Sequence, residues 1–273
     1  MRLFTGFKPI ASSLALVALA SVANGQKLPG SLGFSIAGSF LNGTAQSADS
    51  ILLADNNLTN GYASGFDLAD APSALNPTGP VGSAAFQWGV AADWSAYPHT
   101  SALWFQPLSG SNIAPEQSFD LGYLFYRNGT IKSGTGATAV DIGLQIAFAQ
   151  QLGLSPVSEV FGTLLINTPN SSDQVASADV VTLDDQVREL QFQDQYGNPY
   201  YLELTFQVDQ DTMDNSLSTI NEFRVFEGSQ GRATLLGRFT TNPIGPQGDY
   251  LIPEPSTALM GLLGAALLLR RRR

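Results

Sequence analysis

Two segments of the chain alternate large apolar residues with polar or small ones, and that period limits what they can become. Across residues 140–148, Val140, Ile142, Leu144, Ile146 and Phe148 interleave with Asp141, Gly143, Gln145 and Ala147. Across 200–208, Leu202, Leu204, Phe206 and Val208 oppose Tyr201, Glu203, Thr205 and Gln207. Successive side chains of a strand point to opposite faces, so each segment reads as a strand with one buried and one wet face. Shorter apolar runs at 86–90, 102–106, 119–127, 160–167, 179–183, 190–194, 223–227 and 234–240 are separated by Gly, Asn, Pro and Ser. No helical period lasts longer than about two turns in this region. About ten strands suffice for two packed sheets, and the predicted fold is all-β, an antiparallel β-sandwich of jelly-roll-like kind over residues 26–241.

The turn residues sharpen that expectation. Asn128-Gly129 predicts a type I′ hairpin after the 119–127 strand, because both residues tolerate positive φ. Gly197-Asn198-Pro199 predicts a turn between the 190–194 and 200–208 strands. Residues 30–83, with Gly38, Gly43, Gly61, Gly65, Gly79 and Gly82, read as an irregular first strand or two plus long loops. Residues 242–252, with Pro243, Gly245, Pro246 and Gly248, read as a linker.

Composition removes whole classes of function. The chain has 273 residues, 44% of them apolar, which is enough for a real core. Thirteen Lys and Arg against 23 Asp and Glu give a net charge of −10, which argues against nucleic acid. With no Cys and one His, no disulfide, thiol nucleophile, zinc finger, iron–sulfur cluster or multi-His metal site can form.

The two ends read as addresses. Arg2 and Lys8 precede an apolar stretch from Leu14 to Ala20, and Ser21-Val22-Ala23 or Ala23-Asn24-Gly25 supplies small residues at a cleavage site. Residues 1–25 thus have the three parts of a secretory signal peptide, handled by the secretion machinery. At the other end Pro253-Glu254-Pro255 and Ser256-Thr257 lead into an apolar run from Ala258 to Leu269, then Arg270, Arg271, Arg272 and Arg273. As a helix that run is only about 18 Å long, so it crosses a bilayer with help from Ser256 and Thr257, local thinning and snorkelling arginines. A short transmembrane helix over 256–269 keeps the arginines on the cytoplasmic side and everything before it outside. Without Arg2, Lys8 and the four terminal arginines, seven basic residues face 22 or 23 acids, a net charge near −15 or −16.

The tail over 253–273 resembles the PEP-CTERM sorting signal of Gram-negative bacteria, which joins a Pro-Glu-Pro motif, a short transmembrane helix and a basic cluster in this order. The resemblance implies recognition by an exosortase that cuts near Pro253, Glu254 and Pro255. Two prolines around one residue hold an extended backbone that a cleft can grip, and Glu254 offers a charge. An anchor that is never processed has the same physics. Phe86-Gln87-Trp88-Gly89, Ser101-Ala102-Leu103-Trp104-Phe105, the run from Phe119 to Gly129, and Ile166-Asn167-Thr168-Pro169-Asn170 with Ala178-Asp179 are similar to the choice-of-anchor K domain found before such tails. That resemblance implies a surface or matrix domain and carries no catalytic residues with it; exopolysaccharide is an expected partner of the sorted product.

Chemistry has few residues to work with. Glycoside cleavage needs two carboxylates at a defined separation. Glu222 and Glu227 are five apart and would fall on opposite faces of a regular strand. His99 between Pro98 and Thr100 reads as a loop residue. Asp209, Asp211 and Asp214, near Asn215, present the oxygens that a Ca²⁺ takes, without the Gly and Glu of an EF-hand; a solvated acidic turn accounts for the same spacing. Trp88 and Trp104 suit a core, leaving Trp94 and Tyr97 as loop aromatics on which a sugar could stack. The expectation is an exported, non-catalytic domain, with a carbohydrate-binding or glycan-hydrolysing sandwich as the alternative.

Overall fold

The computed structural model describes residues 26–27, 32–58, 82–93, 99–149, 154–169, 173, 175–184, 186–208 and 219–244. The signal-peptide segment, Trp94 and Tyr97, the acidic loop with Asp209, Asp211 and Asp214, and the tail with Pro253 to Arg273 lie outside the described residues.

The described strands are β1 (Gln26–Lys27), β2 (Leu32–Ala45), β3 (Leu52–Asp55), β4 (Ala84–Trp88), β5 (Ser101–Pro107), β6 (Gly110–Ile113) and β7 (Ser118–Asn128). They continue with β8 (Ala137–Phe148), β9 (Val157–Ile166), β10 (Asp179–Leu183), β11 (Val187–Gln193), β12 (Pro199–Val208), β13 (Glu222–Val225) and β14 (Ser229–Thr240). One sheet runs β1-β11-β12-β14-β7-β5-β4-β3 and the other β13-β10-β9-β8-β2-β6. Every pairing is antiparallel except the two-residue contact of β1 with β11. The expected antiparallel all-β sandwich is therefore present, and all ten strands read from the alternation are found.

Alternation does what the period requires. Val140, Ile142, Leu144, Ile146 and Phe148 of β8 point into the core, as do Leu202, Leu204 and Phe206 of β12. Rings from the two sheets meet across it: Phe40 with Phe86 at 6.2 Å, Phe148 with Phe239 at 6.1 Å and Tyr126 with Phe223 at 6.3 Å between centroids. Each fully buried ring of this kind contributes about 1.5–3 kcal/mol from apolar area removed from water. A second, smaller cluster lies on the opposite face of the eight-stranded sheet, where Leu58 covers Ala85, Ala102, Trp104 and Phe125. Strand β4 is consequently buried on both faces. Glu203, expected on the wet face of β12, is buried there instead, bonded to Arg238 and to the Ile244 amide.

One expectation is sharpened and one needs correction. The first strand or two expected within 30–83 are β2 and β3, and β2 is a 14-residue strand that pairs with β8 from Phe34 to Ala45, with register shifts near its end. Its glycines hid its length. A Cβ on Gly38 would sit 2.1 Å from the Phe105 ring, and one on Gly43 2.7 Å from the Phe86 ring, so large residues of the facing sheet occupy the space that side chains of β2 would need. Asn128-Gly129 makes no hairpin, because β7 and β8 belong to different sheets. Neither residue has positive φ. Asn128 is buried and donates through Nδ2 to the Val225 carbonyl, and a Cβ on Gly129 would lie 2.1 Å from the His99 carbonyl oxygen. The glycine serves close backbone approach rather than a turn. The turn at Gly197, with φ of 87°, does join β11 to β12, and the Asp194 carboxylate accepts from the Tyr196 and Asn198 amides.

Gly38→Ala is predicted to lower unfolding free energy by about 1–3 kcal/mol through overpacking against Phe105. Gly162→Ala, whose nearest contact is Asp184 Cβ at 3.9 Å, should change it by no more than about 0.5 kcal/mol. Urea denaturation of the two variants, compared at equal m-value, checks both.

Candidate functional site

The interior aromatics determine where polar groups gather. Trp88 at the end of β4 and Tyr126 near the end of β7 stack with centroids 5.7 Å apart. Both are fully buried, yet each carries one polar atom that needs a partner. Trp88 Nε1 donates to Asn167 Oδ1 at 3.3 Å, and Asn167 Nδ2 donates to the Ala137 carbonyl at 2.6 Å. The Tyr126 hydroxyl donates to Asp179 Oδ2 at 3.2 Å. The other carboxylate oxygen, Oδ1, accepts from the Thr168 amide at 2.7 Å and the Thr168 hydroxyl at 3.1 Å. One carboxyl thus ties β7, the start of β10 and the turn that follows β9.

Above these acceptors a cleft of about 400 Å³ opens at this end of the sandwich. Its walls come from the β7–β8 connection, through Ile131, Lys132, Ser133 and Gly134, from the Asn167-Thr168-Pro169 turn, from Gln46, and from Glu227 between β13 and β14. The walls are fixed by further bonds. Gln46 Oε1 accepts from the Gly136 amide, the Ser47 hydroxyl donates to the Gly134 carbonyl at 2.6 Å, and Thr135 Oγ1 accepts from the Val90 amide. Gly129 enters through its close approach to the His99 carbonyl, and its amide donates to Ser101 Oγ. Next to it, Arg127 is fully buried, with its guanidinium 5.2 Å from the Trp104 ring and Nε donating to the Thr100 carbonyl.

Burial dominates the electrostatics of the floor. Desolvation pushes the Asp179 carboxyl up to about 7; the Thr168 amide pulls the other way, the Glu227 charge adds to the rise, and the Thr168 and Tyr126 hydroxyls oppose it. The Tyr126 phenol is held well above its ordinary range, first by burial and then by the Asp179 charge. It therefore stays a neutral donor. Near neutral pH the floor holds a carboxyl that is partly protonated, next to a second acid.

The structure places the residues picked from sequence unevenly. Trp88 and Trp104 are core, as read, but on opposite faces of the sheet. Glu222 bonds Arg224 at 2.6 Å on β13, while Glu227 lies beyond the strand and faces the cleft, so the two acids do not converge. His99 lies in the loop before β5. The acid that does meet Glu227 is Asp179, which sequence spacing could not supply. Among the described residues no group of three or more His, Cys, Asp and Glu is placed to hold a metal ion.

The described residues define an all-β sandwich with a preorganised polar cleft at one end. No protein-family model matches the chain, and no characterised protein is significantly similar to it.

The raised Asp179 sets a pH dependence whose sign is fixed. Unfolded, the carboxyl titrates near 3.9; folded, near 7. Between those values the folded state holds a proton that the unfolded chain has lost, so this group's contribution is full below about pH 4 and is lost as pH rises through about 7. Its span is up to roughly 4 kcal/mol. Asp179→Asn keeps the acceptor for Thr168 and cannot titrate. It should therefore gain stability relative to wild type as pH is raised from 4 to 8, which denaturation at several pH values checks.

Proposed function

We propose that the chain is an exported, non-catalytic surface or extracellular-matrix protein of a Gram-negative bacterium, sorted and processed by an exosortase at its C-terminal motif. The observation that carries this reading is the order of parts over 253–273: Pro253-Glu254-Pro255, the apolar run to Leu269, then Arg270 to Arg273. In this reading Pro253, Glu254 and Pro255 are the recognition element outside the membrane, and Arg270, Arg271, Arg272 and Arg273 hold the span in place until it is cut. The secretory start over 1–25 and the strong negative charge of the product agree with an exterior location. The sandwich, jelly-roll-like and similar to a choice-of-anchor K domain, is what the tail delivers.

Two features support a domain without catalysis. Asp179 has both oxygens engaged by Thr168 and Tyr126, whereas a general acid needs its proton within reach of substrate. Glu222 is held by Arg224 on its own strand. The cleft still favours the binding half of the carbohydrate alternative.

Intact-mass measurement of the envelope or secreted form tests the sorting reading. In a strain with an active exosortase the mature chain should run from about Asn24 or Gln26 to near Pro253, and without that enzyme the form ending at Arg273 should accumulate. A mature form that keeps Arg270 to Arg273 in both strains would refute processing.

A further inference from the structure

We infer that the cleft bounded by Lys132, Thr168, Asp179 and Glu227 is a binding site for an uncharged sugar unit, with Ile131 and Pro169 as its apolar flanks. Size, polarity, charge and rigidity each point the same way.

A volume of about 400 Å³ falls in the range of roughly 300–1,000 Å³ that holds small molecules. It is room for a sugar unit and too little for a folded partner. The lining mixes hydrogen-bonding groups with apolar flanks, which suits a ring that bears hydroxyls on its rim and C–H groups on its face. A purely hydrophobic ligand would take this polar lining out of water without offering it hydrogen bonds, which costs about one to several kcal/mol for each group so desolvated. Charge argues against an anion, since two acids and a single lysine face the cavity and Lys132 already pairs with Asp93 at 3.2 Å. Carboxylates that accept from vicinal hydroxyls form stronger hydrogen bonds than neutral acceptors do.

Rigidity provides the remaining condition. The groups that frame the cavity are tied to the sandwich by Asn167, Gln46, Ser47 and Thr168, so little ordering cost accompanies binding. This is not the loop-aromatic platform that Trp94 and Tyr97 suggest; its residues lie elsewhere in the chain. The inference deepens the surface reading and rests on it only for the source of the sugar, an extracellular polysaccharide; the cleft itself does not depend on how the tail is processed.

The test is calorimetric titration of the full-length chain, held in a detergent without a sugar headgroup, with neutral gluco-, manno-, galacto- and N-acetylglucosamine oligosaccharides and with polygalacturonate as the anionic comparison. At least one neutral series should bind. Glu227→Gln and Lys132→Met should each weaken that binding tenfold or more while their melting curves show both variants folded at the titration temperature, and Ser158→Ala, on the outer face of β9, should leave it as it is. The inference is overturned if no neutral series binds, if polygalacturonate is the only binder, or if both cleft variants bind as tightly as wild type. Because the mass of the processed chain is read separately, failure here leaves the sorting proposal standing, and failure there leaves this one.

Discussion

A pair of stacked rings at one end of the sandwich, Trp88 on Tyr126, sets the conditions for most of what surrounds them. Each ring contributes apolar area to the core, and each carries one polar atom at its rim that a dry interior would leave unpaired at a cost of about 1–3 kcal/mol. The chain answers with Asn167 for the indole and Asp179 for the phenol. Asp179, once buried, must in turn be stabilised, and Thr168 does so with both its amide and its hydroxyl. The turn after β9 is thereby fixed to the start of β10. The cleft is the space left above this network, so its shape follows from how the core ends.

Much of the fold was legible because alternation is a local signal. Strands β8 and β12 declare their inner faces residue by residue, and the shorter apolar runs located the other eight expected strands. Strand β2 was legible only as an irregular strand, for a physical reason: its inner positions Gly38 and Gly43 are small because Phe105 and Phe86 reach across from the other sheet. Asn128-Gly129 misled for a related reason. The same two residues that favour a tight turn also allow a buried amide and a close backbone approach, and only the sheet assignment of β7 and β8 separates the two uses.

The site was legible in its parts but not as a whole. Trp88, Asn128-Gly129, Asn167-Thr168 and Ala178-Asp179 stood out as unusual segments, and the sandwich brings all of them to one end. Nothing in their spacing says so, because β4, β7, β9 and β10 lie in two different sheets. Glu227 was weighed against its neighbour Glu222, when its real counterpart is Asp179. Strand β14 lies inside the eight-stranded sheet between β12 and β7. There Glu203 accepts from the Ile244 amide at 2.8 Å and pairs with Arg238, and Glu116 takes the Thr240 and Thr241 hydroxyls. The end of β14 and the residues after it, to Ile244, are thus held by carboxylates that are bonded in place.

Asp179 is a buried acid whose carboxyl organises the cleft floor while staying partly protonated near neutral pH. Carbon-13 NMR of a sample labelled at aspartate, with Asp179 assigned by comparison with Asp179→Asn, follows that carboxyl directly as pH is raised from 3 to 9. The account predicts an inflection near pH 7. An inflection near 4, the value of an exposed aspartate, would contradict it and with it the packing of Tyr126, Thr168 and Asp179 described above.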